Sequence, residues 1–504
     1  MARGVALLAT AGFVAPVLAE RWRLDPGIES QVTATSNSNF GVSELTRGEA
    51  ERDTVIEVRP RLAFRGEGAR FRLSGSLGLN GVAYADRTQD SKVLPSADVT
   101  SRLEAVERFF FVEAGYRATQ ASSDPFAARP IDGSTVNTVT TTEARLSPYI
   151  EGTMRGDVRY SLRADNSWVR EIGAPTGAST TAGYFGRYSA ALQKAPRPFG
   201  WRVEAERTFT RYEADAEPSV GLTQARVFAD YAVTPEFMVA VRGGRESNDL
   251  AGGVESRSFS GFEFNWDPSP RTTLNAYREN RFFGPAWQLN FNHRMPRVAW
   301  TFVASRNLET APQSLFELPA TGNVASLLDS MYTTRYPDPV ERARVVQDLM
   351  ARNGLPASTR GALSLLTDRV SIVTRREANI AFNGLRNTVK LTAYRVETVD
   401  VEDEASLSTG SSDENNLQYG ASFLINHRLS QLIALNFTID WNRIRSVGVA
   451  LGDETTQRSA DLRINVQAAP KTNAFFGGRY RKIESNVVVA GQEKAVFVGL
   501  DHRF

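Results

Sequence analysis

The stretch Ile56-Glu57-Val58-Arg59-Pro60-Arg61-Leu62-Ala63-Phe64-Arg65 alternates side chains of opposite character. Glu57, Arg59, Arg61 and Arg65 fall on one parity, and Ile56, Val58, Pro60, Leu62 and Phe64 on the other. A strand turns successive side chains to opposite faces, so the pattern predicts one charged and one apolar face. Gly66-Glu67-Gly68-Ala69 follows as a tight turn. The alternation then resumes, with Phe71, Leu73, Leu77 and Leu79 against Arg70, Arg72, Ser74, Ser76 and Asn80. Two amphipathic strands joined this way form a hairpin.

The same period returns along the chain. Val158, Tyr160, Leu162 and Ala164 oppose Arg159, Ser161, Arg163 and Asp165. Leu435, Phe437, Ile439 and Trp441 oppose Asn436, Thr438, Asp440 and Asn442, and Leu462, Ile464 and Val466 oppose Asp461, Arg463, Asn465 and Gln467. The connections alternate in length. Short turns are expected at 66–69, 106–108, 151–156, 195–200, 234–236, 267–271, 294–297, 385–387, 428–430 and 470–472. Longer polar stretches lie between them, at 37–53, 85–98, 119–136, 170–180, 399–414 and 445–456. Short turns on one side and long loops on the other are the mark of a transmembrane β-barrel. The reading is an all-β, antiparallel transmembrane barrel of about 22 strands, within roughly 18 to 24, in the cell outer membrane.

Composition agrees. The 504 residues are 41% hydrophobic and 23% charged, and the mean hydropathy is −0.31. That is too polar for a bundle of transmembrane helices, each of which needs about 20 apolar residues. A barrel tolerates it, because only the outward half of each strand meets hydrocarbon and every backbone hydrogen bond is made between strands. The 10% aromatic content excludes a disordered chain. With no cysteine, disulfide frameworks and thiolate chemistry are excluded. A net charge of +2 gives no field for nucleic acid, although only six of the 59 basic residues are lysines.

Residues 1–19 read as a secretory signal peptide: Arg3, an apolar run from Val5 to Val14, then Val17 and Ala19 as the small residues before cleavage. Barrel is expected over 20–306 and 371–504. Between them, 307–370 lose the period of two. Asp338 as N-cap, Pro339 at the first helical position and Gly354 just past the end predict a helix over 340–350. Val340, Ala343, Val346 and Leu349 form its apolar stripe. Shorter helices are expected over Val324–Met331 and Leu363–Leu366. About 60 residues exceed an ordinary connection, so the insert is expected to cap the pore outside or constrict the lumen within.

The polar face becomes the functional surface. The residues expected to line the lumen and a solute path are Arg59, Arg61, Arg65, Arg70, Arg72, Arg159, Arg163, Arg202, Glu204, Arg226, Asp230, Asp461, Arg463 and Arg479. Glu57, Asp165, Glu206, Glu263 and Asp440 share that face. Arginine stays charged and binds carboxylates bidentately, so such a lining suits a hydrated path for a polar or anionic solute. Tyr160, Trp168, Tyr188, Trp201, Trp266, Trp300, Tyr394, Trp441 and Tyr480 are read as interfacial girdles. Arg207 falls on an apolar parity, and a bulge is expected to re-aim it.

Catalysis finds no support. His293, His427 and His502 each precede an arginine at a strand end, which places them at the periplasmic interface rather than in one site. No P-loop, G-x-S-x-G or H-E-x-x-H is present. The acidic run Asp400-Val401-Glu402-Asp403-Glu404 lacks calcium-loop spacing. No enzyme, cofactor or metal is expected.

The chain ends with Val496, Val498, Leu500, His502 and Phe504 on one face. This resembles the C-terminal strand of bacterial outer-membrane proteins, which implies recognition of Val496, Val498, Leu500 and Phe504 by the barrel-assembly machinery. Three further features carry a wider resemblance. They are Trp22-Arg23-Leu24-Asp25-Pro26-Gly27-Ile28, the turn Trp266-Asp267-Pro268-Ser269-Pro270-Arg271-Thr272, and the insert before Arg375-Arg376-Glu377-Ala378-Asn379 and Asn383-Gly384-Leu385-Arg386-Asn387. With them the chain resembles the outer-membrane β-barrel proteins associated with the PEP-CTERM/exosortase system. The resemblance implies a part in exopolysaccharide export, with exopolysaccharide and periplasmic export components as partners beside outer-membrane lipid and lipopolysaccharide. A general diffusion porin and a closed structural or docking barrel are the alternatives. A siderophore-type transporter is disfavoured, because nothing resembles a plug of about 150 residues ahead of the first strand.

Overall fold

In the computed structural model, the described residues are 21–504 without 41–49, 123, 130–136, 173–181, 213–218, 250–254, 311–312, 314–323, 357–358, 360, 364–369, 402–414 and 448–451. The expected signal peptide, most of the acidic run and residues 364–366 of the third expected helix lie outside them. The first strands are β1 (Arg21–Thr35), β2 (Asp53–Glu67), β3 (Phe71–Tyr84), β4 (Lys92–Val106), β5 (Phe110–Ser122), β6 (Thr138–Met154) and β7 (Val158–Ile172). Then come β8 (Gly183–Lys194), β9 (Phe199–Tyr212), β10 (Val220–Thr234), β11 (Phe237–Asn248), β12 (Glu255–Ser269), β13 (Thr272–Arg281) and β14 (Gly284–Arg294). The last are β15 (Val298–Thr310), β16 (Val370–Asn383), β17 (Asn387–Asp400), β18 (Asn416–Arg428), β19 (Ile433–Ser446), β20 (Glu454–Ala469), β21 (Thr472–Ser485) and β22 (Gly491–Arg503).

Every strand pairs antiparallel with its sequence neighbours, and β1 pairs with β22 from Gly27↔Arg503 to Thr35↔Ala495. The 22-stranded sheet is therefore closed, with no free edge to satisfy in lipid. An even strand number brings the start of β1 and the end of β22 to the side of the short turns, which is the periplasmic side. The expected short turns are found there, such as 68–70, 107–109 and 235–236. The external connections are longer, with one exception: β13 and β14 are joined by Phe282-Phe283 alone, before Gly284 at φ 93°.

The two faces separate by parity. Leu24, Leu79, Val241, Phe302, Leu391 and Val498 are among the large apolar side chains exposed on the outer wall. Left in water they would be costly, at about 1.5–3 kcal/mol each, so this wall is a lipid-facing band. The molecule is a membrane-spanning barrel of the outer-membrane kind. Val496, Val498, Leu500 and Phe504 lie exposed on the same outward face. Trp168, Tyr188, Trp201, Trp266, Trp300 and Tyr480 are outward and exposed too.

Two expectations are corrected. The register of β9 runs unbroken against both β8 and β10, so no bulge re-aims Arg207 and it faces outward, opposite Tyr188 and Thr223. The register shifts instead lie beside periplasmic turns, as at Ala232/Thr234 and Gln467/Ala469. Tyr394 is no girdle residue: it shares the inward parity of Lys390 and Thr392 and is buried.

Candidate functional site

Among its described residues the insert contains two helices, α1 (Val324–Tyr332) and α2 (Pro339–Asn353). It leaves and re-enters the wall on the external side, where Thr310 pairs with Val370. The helices nevertheless stand inside the barrel near its periplasmic end. Val324, Leu327, Leu328 and Met331 of α1 and Val346 of α2 form one buried cluster with Ala299, Ala381 and Leu424. Those three wall residues point inward close to the periplasmic ends of β15, β16 and β18. The hydroxyl of Tyr332 accepts a hydrogen bond from Asn383 at 2.9 Å, at the last residue of β16. Of the expected stripe, Val346 is buried, Leu349 packs against the cluster and Ala343 is half-buried. The Val340 side chain lies outside the described residues.

The end of α2 explains how the floor is held. Gly354 has φ +60°, a left-handed conformation, and the Leu355 amide donates to the Met350 carbonyl at 2.9 Å, closing a Schellman cap. The Asn353 carbonyl accepts from the side chains of Asn426 (3.1 Å) and Asn436 (2.9 Å). From there the chain climbs the inner wall. Thr359 meets Lys390, and the Leu363 amide donates to Gln418 at 2.8 Å.

A second closure comes from the β5–β6 connection. Phe126, Ala127 and Ala128 turn inward, and the latter two pack with Phe40, Ile483 and Val488. Buried Arg129 reaches across the lumen, donating to the Gly361 carbonyl at 2.6 Å and the Tyr394 hydroxyl at 3.1 Å. Thr455 donates to the Phe126 carbonyl at 2.7 Å. Sequence reasoning assigned 119–136 to a polar external loop and missed this strap. The apolar run Phe126-Ala127-Ala128, in an otherwise polar connection, was the available signal.

The expected lumen residues divide by place. Arg70 is not on the wall: it lies in the β2–β3 turn and pairs with Glu107 of the neighbouring periplasmic turn at 3.1 Å. The turn ends before Phe71, so the parity of β3 does not extend to it. The other thirteen face inward. Arg202, Arg226 and Asp230, with Arg242, Glu263 and Glu279, form a densely paired sector on β9–β13. Arg242 is 7% exposed between these acids and lies 4.3 Å from the Tyr277 ring centre. Glu204 is 3.9 Å from Arg202 in the same sector. Arg479 is held with Arg481 by Glu493. Arg59 is bound by Glu29 and Glu57, and Arg61 by Asp501. Arg463 stacks 3.6 Å from the Phe475 ring centre, and Asp461 stands opposite Arg479. Arg65 pairs with Glu67, and Arg159 is exposed near the periplasmic end of β7.

The inner wall of β3–β7 differs. Arg72 and Arg102 are exposed and directly opposite one another, and a groove of about 250 Å³ runs past them with Arg117, Arg145 and Arg163. Arg117, Arg145 and Arg163 keep 29–33% of their side-chain surface exposed. Their acids are Asp98, Glu113, Glu143 and, for Arg163, the buried Asp165 at 2.7 Å, and Asp98 is itself 60% exposed. This wall offers hydrated guanidinium groups, whereas the β9–β13 wall spends its charges on structure. Sequence parity named Arg72 and Arg163 and missed Arg102, Arg117 and Arg145.

The histidines stand apart, each outward-facing near a periplasmic strand end. His293 and His502 are 2.8 Å from Thr272 and Thr472, and His427 contacts Asn387. Among the described residues, no group of three or more His, Asp or Glu side chains converges as a metal site.

No family model and no curated protein matches the chain. Among solved structures, it is similar to the siderophore receptor PirA from Acinetobacter baumannii, at 9% identity and a TM-score of 0.45, covering 95% of this chain and 80% of the receptor. It is also similar to the FrpB iron transporter from Neisseria meningitidis, at 10% identity and a TM-score of 0.47, covering 95% and 81%. Likeness this distant carries no argument about function.

Proposed function

We propose that this barrel is a gated outer-membrane conduit that takes part in export of a polar or acidic exopolysaccharide, with 311–369 as the gate. The observation that carries the reading is the pairing of an arginine-lined, hydrated wall on β3–β7 with a helical floor facing it across the lumen. Guanidinium groups that keep part of their surface exposed can be visited in turn by carboxylates or hydroxyls of a passing chain. The floor is seated by a small apolar cluster and a few amide hydrogen bonds, not by the sheet itself. Its two ends are adjacent on the wall, so the floor can leave without breaking a strand pair. The resemblance to exosortase-associated barrels supports the polymer as solute, and export components as partners.

The test is deletion of the gene in its host with measurement of polysaccharide in the medium and in the periplasm. Loss from the medium with periplasmic accumulation is expected. Unchanged secretion would reject the role.

A closed docking barrel is the second reading. Arg129 favours it, since a strap locked to both the insert and the far wall suits a permanently shut lumen. The occupied lumen weighs against a permanently open diffusion porin.

A further inference from the structure

On the lipid-facing surface, Arg376, Arg395, Tyr419 and Arg443 stand opposite one another in turn across β16 to β19. Arg458 and Lys482 form another opposed pair on β20 and β21, one row nearer the periplasm. All lie in the external part of their strands. Immediately below, the wall is apolar, with Ile380, Leu391, Ile439 and Leu462 exposed.

The cations outnumber their counterions. Glu397 lies 3.5 Å from Arg395, Glu454 contacts Arg443, and Glu484 contacts Lys482 and lies 3.9 Å from Arg458. Among the described residues no carboxylate pairs with Arg376. Like charges directly opposite on neighbouring strands are destabilising, so Arg376↔Arg395 is an unfavourable pair unless an anion joins it. At the edge of a hydrocarbon band, an under-neutralised guanidinium is expensive. The forked donors of arginine match phosphate oxygens, and the Tyr419 hydroxyl adds a donor between them.

We propose that this patch binds the phosphate groups of an anionic glycolipid of the outer leaflet, whose acyl chains lie on the apolar wall beneath. A soluble phosphate would use only the upper half of the surface. A phosphorylated glycolipid uses both halves. Ala378, Ala393 and Ala421 stand in register one row below the arginines and leave a shallow floor for a chain.

The test uses the full mature chain purified in non-ionic detergent, with bis-phosphorylated lipid A, dephosphorylated lipid A and inorganic phosphate as probes. The variant is Arg376→Gln/Arg395→Gln/Arg443→Gln. A control of equal charge loss is Arg108→Gln/Arg155→Gln/Arg197→Gln in periplasmic turns, where Arg108 is 89% and Arg197 80% exposed. Lipid A bisphosphate binding should fall about tenfold or more in the patch variant and less than about twofold in the control. Dephosphorylated lipid A should bind weakly to all. If the triple variant does not fold, Arg376→Gln alone decides, since removing an exposed charge that has no carboxylate partner among the described residues leaves the sheet intact. Wild-type binding by a folded variant, or equal binding of dephosphorylated lipid, overturns the site. Full competition by millimolar inorganic phosphate would make it a phosphate site with no claim on lipid.

Discussion

Asn436, on the inner wall of β19, donates from its side-chain amide to the main-chain carbonyl of Asn353, 2.9 Å away at the C-terminus of α2. Asn426 on β18 donates to the same oxygen and to Asn436 itself. The helical floor is therefore clasped at one point by two neighbouring strands. Asn436 also donates to the Gly354 carbonyl at 3.1 Å, so replacing both asparagines with alanine removes three hydrogen bonds to the insert, of about 1 kcal/mol each. Amide exchange in α2 should quicken roughly tenfold or more, while strand amides keep their protection. Equal exchange would mean that the clasp is ornamental.

Leu328 tests the apolar half of the seat. It is 1% exposed within the cluster that joins α1 to the wall. Leu328→Ala should weaken docking by about 2–5 kcal/mol, without altering the heat-modifiable migration of the barrel on gels. Loss of that migration would show that the insert supports the barrel rather than merely occupying it.

Gly354 should tolerate no side chain. Its φ of +60° disfavours one, and an added Cβ would meet the Asn465 side chain at 2.5 Å. Gly354→Ala is expected to cost about 1 kcal/mol or more and to mimic the clasp variant in exchange.

Arginines on the two inner walls should answer differently. Arg72→Gln/Arg102→Gln should lower anion preference in any conducting form and leave stability nearly unchanged, since both side chains are exposed. Arg242→Gln leaves Glu263 and Glu279 short of a partner and should destabilise the barrel by about 3–5 kcal/mol in urea, with selectivity preserved. The reverse pattern would exchange the roles of the walls.

Arg207 offers the opposite sign. It faces lipid on an unbroken strand, opposite Tyr188. Arg207→Leu should leave stability unchanged or raise it by about 1 kcal/mol in refolding onto vesicles. A large loss would mean that Arg207 holds a partner of its own.

Much of this was legible in the chain. Period-two alternation fixed which face of β2, β7, β19 and β20 turns inward, because a strand offers no other arrangement. The turn and loop lengths set the strand number and orientation. Asp338, Pro339 and Gly354 marked the ends of α2 because caps are local chemistry. The rest was set by contacts distant in sequence. Nothing near Asp338 says whether a helix sits outside or inside; that depends on Ala299, Ala381 and Leu424, small or apolar positions on an otherwise polar inner face. Arg129 was invisible for the same reason, since its partners lie on the far wall. Parity identified arginines as inward but not whether they are spent on pairing, as Arg202 is, or left hydrated, as Arg102 is. Arg70 failed because parity was carried past the end of a strand into a turn.

If the helical insert is a gate, α1 and α2 close a lumen that is otherwise able to conduct. Because Thr310 and Val370 are already paired, the insert can be replaced by a two-residue turn without disturbing the sheet. Single-channel conductance in planar bilayers should then show brief or no openings for the chain with its insert, and a large, anion-favouring conductance for the shortened one. Silence from both forms, or the same conductance from both, would contradict the gate.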